Sequence, residues 1–82
     1  MSNYALSGNP NTSPKTLDLL ANDEVWIVPS AVARNPNTPH ETLERLANDA
    51  DPNVRYRVAQ NPNTPQYIRQ YIKIAEFLNY YE

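Results

Sequence analysis

The sequence contains no cysteine and only one glycine, Gly8, among its 82 residues. The missing thiols exclude a disulfide framework, a cysteine zinc site, a thiolate nucleophile and a cysteine-ligated iron–sulfur cluster. No apolar run approaches the ~18 residues that a spanning helix needs, and the N-terminus lacks the features of a signal peptide. We therefore expect a cytoplasmic protein without membrane association. Because one glycine cannot cap several helices, asparagines at 22 and 48 are expected to take the left-handed position.

Charge of neither sign dominates the chain. Seven basic and nine acidic side chains give a formal net charge of −2. A nucleic-acid-binding domain needs far more positive charge, so nucleic acid is the disfavoured partner. A chain of 82 residues, 40 % of them hydrophobic, is long enough for one domain with a small core.

Eight prolines punctuate the chain, most of them at matched places in a repeat. The segment Asn-Pro-Asn-Thr-Pro at 35–39 returns unchanged at 61–65, and its first four residues also occur at 9–12; each step is 26 residues. A fixed period in this range predicts stacked supersecondary units. We divide the single domain 1–82 into a half repeat at 1–8, repeats at 9–34 and 35–60, and a third repeat start with a terminal helix at 61–82.

The middle repeat carries the signals of a helix start. Asn35 precedes a proline and so ends the previous element, and 35–38 has the chemistry of a type I turn. Thr38 is predicted to cap the next helix, with Pro39 at its first position and Glu41 completing a capping box. The buried face of this helix is formed by apolar residues at helical spacing, namely Leu43, Leu46 and Ala47.

A second, shorter helix is predicted after the corner at 49–52, with Asp51 as its cap. Val54 and Val58 lie on its buried side, whereas Arg55 and Arg57 are left for solvent. Its valines and short length predict a single α turn or a 3₁₀ segment. In the first repeat, we expect this helix to begin later, near Pro29.

Trp26 stands where the middle repeat has Pro52. It is either a core plug or an exposed anchor for a partner. Its neighbours Val25, Ile27 and Val28 favour the core position.

Residues 67–81 contain no glycine or proline and are predicted to form one longer terminal helix. The face expected to stack on the preceding repeat consists of Ile68, Tyr71, Ile72, Ala75 and Leu78. A second apolar strip consists of Tyr67, Ile74, Phe77 and Tyr81. Two interpretations stay open: the helix bends back and buries both strips, or the second strip contacts another chain.

The pattern of these repeats resembles that of the leucine-rich repeat variant family. The resemblance covers nearly the whole chain and lies in Asn-Pro-Asn-Thr-Pro and in the Leu-x-x-Leu-Ala element at 43–47. It implies a solenoid that alternates α-helices with shorter 3₁₀-like helices, and a role that is not enzymatic. One family member carries an iron–sulfur cluster on a cysteine segment, which this cysteine-free chain cannot hold.

No group of side chains in the sequence predicts catalysis or cofactor binding. His40, the single histidine, is expected to be exposed in the first turn of a helix. The acidic pairs lie at helix starts, where negative charge complements the helix dipole, and are interpreted as caps. The equivalent asparagines are expected to form a ladder of bonds to neighbouring turns.

The sequence therefore predicts an all-α, right-handed solenoid of about three repeats that binds protein and is not an enzyme. It would be a small stand-alone adaptor or inhibitor whose partner is another protein or a second copy of itself. The candidate contact residues are Arg55, Tyr56, Arg57, Tyr67, Ile74, Phe77 and Tyr81. The alternative is a nucleic-acid-binding helical repeat that uses Arg34, Arg55, Arg57 and Lys73.

Overall fold

A computed structural model of the chain describes residues 2–80, which form six α-helices and no strand. The all-α fold class is therefore confirmed, whereas the right-handed sense of the stacking and the boundaries of the repeats stay predictions. None of the helices in this part of the chain has the length and apolar character needed to cross a membrane. In chain order the helices are α1 (Asn3–Gly8), α2 (Pro14–Leu20), α3 (Ile27–Arg34), α4 (His40–Leu46), α5 (Pro52–Gln60) and α6 (Gln66–Tyr80).

The helices form two rows along an elongated molecule of 42 × 24 × 15 Å. In one row, α3 packs between α1 and α5. In the other row, α2 packs against α1 and α3, α4 against α3 and α5, and α6 against α5. The core lies between the rows and consists of equivalent residues from successive repeats. Its fully buried members include Leu17, Leu43, Val32, Val54, Val58 and Ile68.

Equivalent asparagines tie each repeat to the one before it, as the sequence predicts. The side-chain nitrogen of Asn35 donates to the carbonyl oxygens of Ser7 and Asn9, at 2.8 and 2.9 Å. Asn61 repeats this pair one period later, with the carbonyls of Ala33 and Asn35. Each asparagine also uses its side-chain oxygen to accept the amide two residues on, which fixes the proline turn. One side chain thus shapes its own turn and holds the neighbouring one.

The predicted role of Thr38 as a helix cap is wrong. Its hydroxyl instead donates to the carbonyl oxygen of Val32, at 2.6 Å, and Pro39 takes the cap position of α4 without a side-chain bond. Thr12 and Thr64 donate in the same way to carbonyls six residues earlier. These threonines are buried and satisfy the last carbonyls of the preceding helix, so they close helices instead of starting them.

The prediction that the second helix of each repeat is short or 3₁₀-like is also wrong. With 8 and 9 residues, α3 and α5 are longer α-helices than α2 and α4, which have 7 residues each. In the first repeat the helix begins at Ile27, two residues before Pro29. Asp51 caps α5 through the amide of Asn53, as predicted. Burial of Val32 and Val58 between the rows outweighs the low helix propensity of valine.

Asn22 and Asn48 do not take the left-handed conformation expected from the scarcity of glycine. Within residues 2–80, no non-glycine residue has positive φ. The amides of Asn22 and Asn48 instead bond the carbonyls three residues earlier, which tightens the ends of α2 and α4. Asp23 and Asp49 then accept the amide two residues on and turn the chain into the corner.

The predicted long terminal helix is confirmed, because α6 runs unbroken for 15 residues. Only Ile68 and Ile72 of its predicted stacking face are buried. Ala75 is half-buried, and Tyr71 is exposed although its hydroxyl reaches Asn48 of the preceding repeat. Leu78 is exposed, so its assignment to that face is wrong.

Arg69 finishes the asparagine ladder at the last described repeat. Its guanidinium donates to the carbonyl oxygen of Asn61. The equivalent carbonyls, those of Asn9 and Asn35, each accept the side-chain amide of the next repeat's asparagine. Arg69 thus donates to the carbonyl of Asn61 in the way that the next repeat's asparagine donates to the two earlier carbonyls.

Candidate protein-interaction surfaces

The first candidate surface is an exposed apolar strip along α6, which consists of Tyr67, Tyr71, Ile74, Phe77 and Leu78. The side chains of Ile74 and Phe77 are 59 % and 60 % exposed, and Leu78 is similar. From Lys73 to Tyr80 no side chain is buried. The interpretation that α6 bends back and buries both strips is therefore wrong for Tyr67, Ile74 and Phe77. Tyr81 lies outside the described residues.

Two tyrosines at the start of this strip are held against α4. The Tyr67 hydroxyl donates to the Glu44 carboxylate, at 2.8 Å, and the Tyr71 hydroxyl donates to the side-chain oxygen of Asn48. The bond to Glu44 raises the pKa of Tyr67 above its usual value of 10.0, with smaller contributions from burial and from the charge of Glu44. These bonds orient the first half of the strip, whereas Ile74 and Leu78 follow Ile72, the last buried residue of α6.

The predicted arginine–tyrosine patch on α5 is only partly present. The Arg57 guanidinium lies over the Tyr56 ring, with its central carbon 5.7 Å from the ring centre. Arg55 does not belong to this pair, because its guanidinium donates to the carbonyls of Asp49 and Ala50. Arg55 thus holds the corner before α5, and its assignment as a partner-binding residue is not supported by its contacts.

The four basic residues of the nucleic-acid hypothesis do not converge on one site. Arg34 and Arg57 line shared cavities on the row of α1, α3 and α5. Lys73 lines a different cavity on α6, and Arg55 is engaged at its corner. Only two cations therefore remain together.

Of the two positions left open for Trp26, a core plug or an exposed anchor, the structure has the exposed one and not the core position that its neighbours favoured. Its side chain is 49 % exposed, and Val25 and Ile27 are exposed as well, whereas Val28 alone is buried. Trp26 shares a cavity with Tyr4, Arg34 and Arg57. The available signal was the 26-residue period, which aligns Trp26 with Pro52, an exposed residue at the start of α5.

The opposite side of the molecule carries a polar cluster between α2 and α4. The Asp18 carboxylate accepts the Thr42 hydroxyl at 2.6 Å and the Arg45 guanidinium at 2.5 Å. The Thr42 bond lowers the pKa of Asp18 below its usual value of 3.8; partial burial opposes this, and Arg45 adds to it. Arg45 also donates to Asn22, as Tyr71 donates to Asn48 one repeat later. This side of the molecule is thus held together by polar bridges.

Asp23, Asp49 and Asp51 accept backbone amides, and Asp18 and Glu44 accept the side-chain bonds described above. Across residues 2–80, no group of three histidine, aspartate or glutamate side chains is placed to hold a metal ion. His40 is exposed at the start of α4, as predicted.

Comparison with protein families decides the assignment of the fold. A family model described as the Leucine Rich Repeat Variant domain matches residues 28–77. The chain belongs to the leucine-rich repeat variant family. The matched segment of this leucine-rich repeat variant domain runs from α3 into the exposed part of α6. Repeat domains of this family are generally non-catalytic and commonly mediate protein interactions. No curated protein and no solved structure matched the chain.

Proposed function

We propose that this leucine-rich repeat variant domain is a non-catalytic protein-interaction module whose terminal helix binds another polypeptide. The observation that supports the proposal is the exposed apolar strip on the second half of α6. Ile74 and Leu78 lie beyond Ile72, the last buried residue of the helix. Apolar side chains that stay exposed together on one helix are typical of a contact surface.

The spacing of the exposed residues suits a helical partner. Tyr67, Tyr71, Ile74 and Leu78 follow one another at intervals of 4, 3 and 4 residues. This is the spacing of a coiled-coil seam, in which the side chains of one helix pack into another. Phe77 is also exposed and widens the strip on one side. A second α6 or an amphipathic helix of another protein fits this pattern.

The test compares two variants of α6 that carry the same charge. Ile74→Asp with Leu78→Asp places two carboxylates in the strip. Gln66→Asp with Asn79→Asp places two carboxylates on the same helix at exposed polar positions. We expect both variants to keep the helical circular dichroism of the native protein, since none of the four side chains is buried.

Light scattering over a range of concentrations distinguishes the two classes of partner. A dimer that is lost only in the strip variant identifies the partner as a second copy. If the native protein is monomeric, affinity capture from source cells should recover a protein with the native and polar-variant baits but not with the strip variant. Unfolding of the strip variant, or capture that does not depend on the strip, contradicts the proposal.

The nucleic-acid alternative is supported by no specific contact. Only Arg34 and Arg57 of its four basic residues share a surface, and the chain is acidic overall. A salt-dependent change in the electrophoretic mobility of short DNA or RNA on addition of the native protein would revive this alternative. The roles of adaptor or inhibitor and the cytoplasmic location stay predictions.

A further inference from the structure

A shallow groove runs along the side of the molecule formed by α1, α3 and α5. It consists of three adjoining cavities of about 400, 220 and 130 Å³. Arg34 lines all three, Tyr4 lines the two larger and Arg57 lines the two smaller. The shared residues make the cavities parts of one surface that crosses the boundaries between repeats.

Small residues at repeat-equivalent positions create this groove. Ser30 stands one period from both Tyr4 and Tyr56, so the middle helix lacks the aromatic side chain of its neighbours. Gly8 stands one period before Arg34 and lines the largest cavity. No heavy atom lies within 4 Å of the position that a Cβ atom would take at Gly8. The floor of the groove is therefore low at the middle helix and open at the α1 end.

The middle of the groove has an apolar wall. Tyr4, Trp26 and Ile27 line the central cavity, and each keeps at least 39 % of its side chain exposed. Exposed aromatic and aliphatic side chains grouped beside arginine are typical of the centre of a protein interface.

The groove is positively charged although the chain is negative overall. Within residues 2–80, neither Arg34 nor Arg57 has a carboxylate within ion-pair distance or a hydrogen bond from its guanidinium. None of the residues that line the three cavities is acidic, although the chain has nine acidic residues. Both arginines lie in the last turn of a helix, where a cation complements the helix dipole. That role uses their charge and leaves their N–H donors available.

We propose that this groove binds an extended segment of another protein in which aspartate or glutamate side chains flank an aliphatic or aromatic residue. The carboxylates pair with Arg34 and Arg57, since a guanidinium matches a carboxylate with two parallel hydrogen bonds. The apolar residue packs against Trp26 and Tyr4. A nucleic acid fits less well, because two cations neutralise few phosphates in a chain of net charge −2. The proposal is independent of the strip on α6, which lies on another helix.

Trp26 provides the readout, because it is the only tryptophan in the chain and lies in the groove. The probes are end-blocked nonapeptides in which glutamates flank a central leucine or phenylalanine, without tryptophan. We expect a saturable change in Trp26 fluorescence at peptide concentrations below about 1 mM. Matched peptides with glutamine in place of glutamate should bind at least tenfold more weakly. End-blocking removes the terminal carboxylate, so any binding is due to the side chains.

Variants of the protein locate the binding. Arg34→Gln with Arg57→Gln should weaken the binding of the glutamate peptides at least tenfold. The control, Lys15→Gln with Lys73→Gln, removes the same charge elsewhere and should leave their binding unchanged. Gly8→Leu places a side chain in the open end, where an added Cβ atom meets no heavy atom within 4 Å, and should weaken binding as well. It gives a second variant should the arginine variant lose its circular dichroism.

Three results would overturn the proposal: equal binding of the glutamine peptides, full binding by both groove variants, or a 12-nucleotide RNA that binds more tightly than every peptide. Ile74→Asp with Leu78→Asp should leave the titration unchanged. Failure of the α6 strip and failure of the groove are therefore distinguishable.

Discussion

The side-chain nitrogen of Asn61 lies 2.8 Å from the carbonyl oxygen of Ala33, which is 28 residues earlier in the chain. The same relationship joins Asn35 to Ser7. Both asparagines are almost completely buried, with 2 % of their surface exposed. Each repeat is thus linked to the backbone of the preceding one by this buried asparagine, and the asparagine two residues later donates to a further carbonyl there.

Replacing Asn61 with alanine should lower the free energy of unfolding by about 2–3 kcal/mol, because two carbonyl oxygens lose a buried donor. Asn9→Ala is the matched control: Asn9 occupies the same position in the first repeat, and within residues 2–80 its side chain forms only the local bond to the amide of Asn11. It should cost less than about 1 kcal/mol. Urea unfolding of both variants tests this difference, and equal losses would mean that the ladder contributes little between repeats.

Thr38→Val and Thr64→Val should each cost about 1 kcal/mol, since each removes one hydroxyl donor from a helix-end carbonyl. The two costs should be equal, because the two bonds have the same length of 2.6 Å. Ser13→Ala should cost a similar amount for a different reason, since Ser13 is the true cap of α2 and accepts the amide of Thr16. Thermal melts that show Thr64→Val to be nearly neutral would restore the capping-box interpretation.

Leu46→Ala should destabilise the protein by about 2–5 kcal/mol, as expected for a buried leucine. Leu19→Ala is a control with the same chemical change, because Leu19 is 66 % exposed on α2. We expect it to change stability by less than about 0.5 kcal/mol. Similar melting temperatures for the two variants would contradict the assigned core.

The contribution of Asp18 to stability should depend on pH. Its pKa is lowered in the folded state, mainly by the Thr42 bond, so ionised Asp18 stabilises the fold above its unfolded pKa near 3.8. This contribution is lost as the pH falls through the folded pKa. Because Asp18 is 49 % exposed, we expect Asp18→Asn to cost less than about 1 kcal/mol at neutral pH.

Urea unfolding of Asp18→Asn and the native protein, from neutral pH to about pH 2, measures this dependence. The difference between their free energies of unfolding should shrink as the pH falls. Glu24→Gln, which removes an exposed acid without a hydrogen bond in residues 2–80, controls for net charge. A difference that stays constant with pH would show that Asp18 does not act through its charge.

Local chemistry identified the elements that depend on neighbouring residues alone. The turn at Asn35, the cap at Asp51 and the unbroken helix after Pro65 all follow from residue preferences within a few positions, and the structure has each of them. The apolar spacing likewise identified Leu43 and Leu46 as core residues, because helical periodicity fixes which side chains share a face.

The mistaken predictions for Thr38 and Arg55 concern residues with two available partners. Thr38 could accept an amide ahead of it or donate to a carbonyl behind it, and both choices are local. The structure shows the second, in a turn that Asn35 anchors to the preceding repeat. For the same reason the sequence did not reveal that Arg55 bonds its corner while Arg57 stays available.

The sequence by itself determined the period of 26 residues, the helical class and the core positions that recur from repeat to repeat, such as Leu17 and Leu43, because these are set by local conformational preference and by the spacing of apolar residues. Only the tertiary structure decided which apolar side chains remain exposed. Trp26 and Val28 are both apolar and two residues apart, yet one lies in the groove and the other in the core. Exposure depends on how neighbouring repeats approach each other, and that approach is fixed by contacts between residues far apart in the chain.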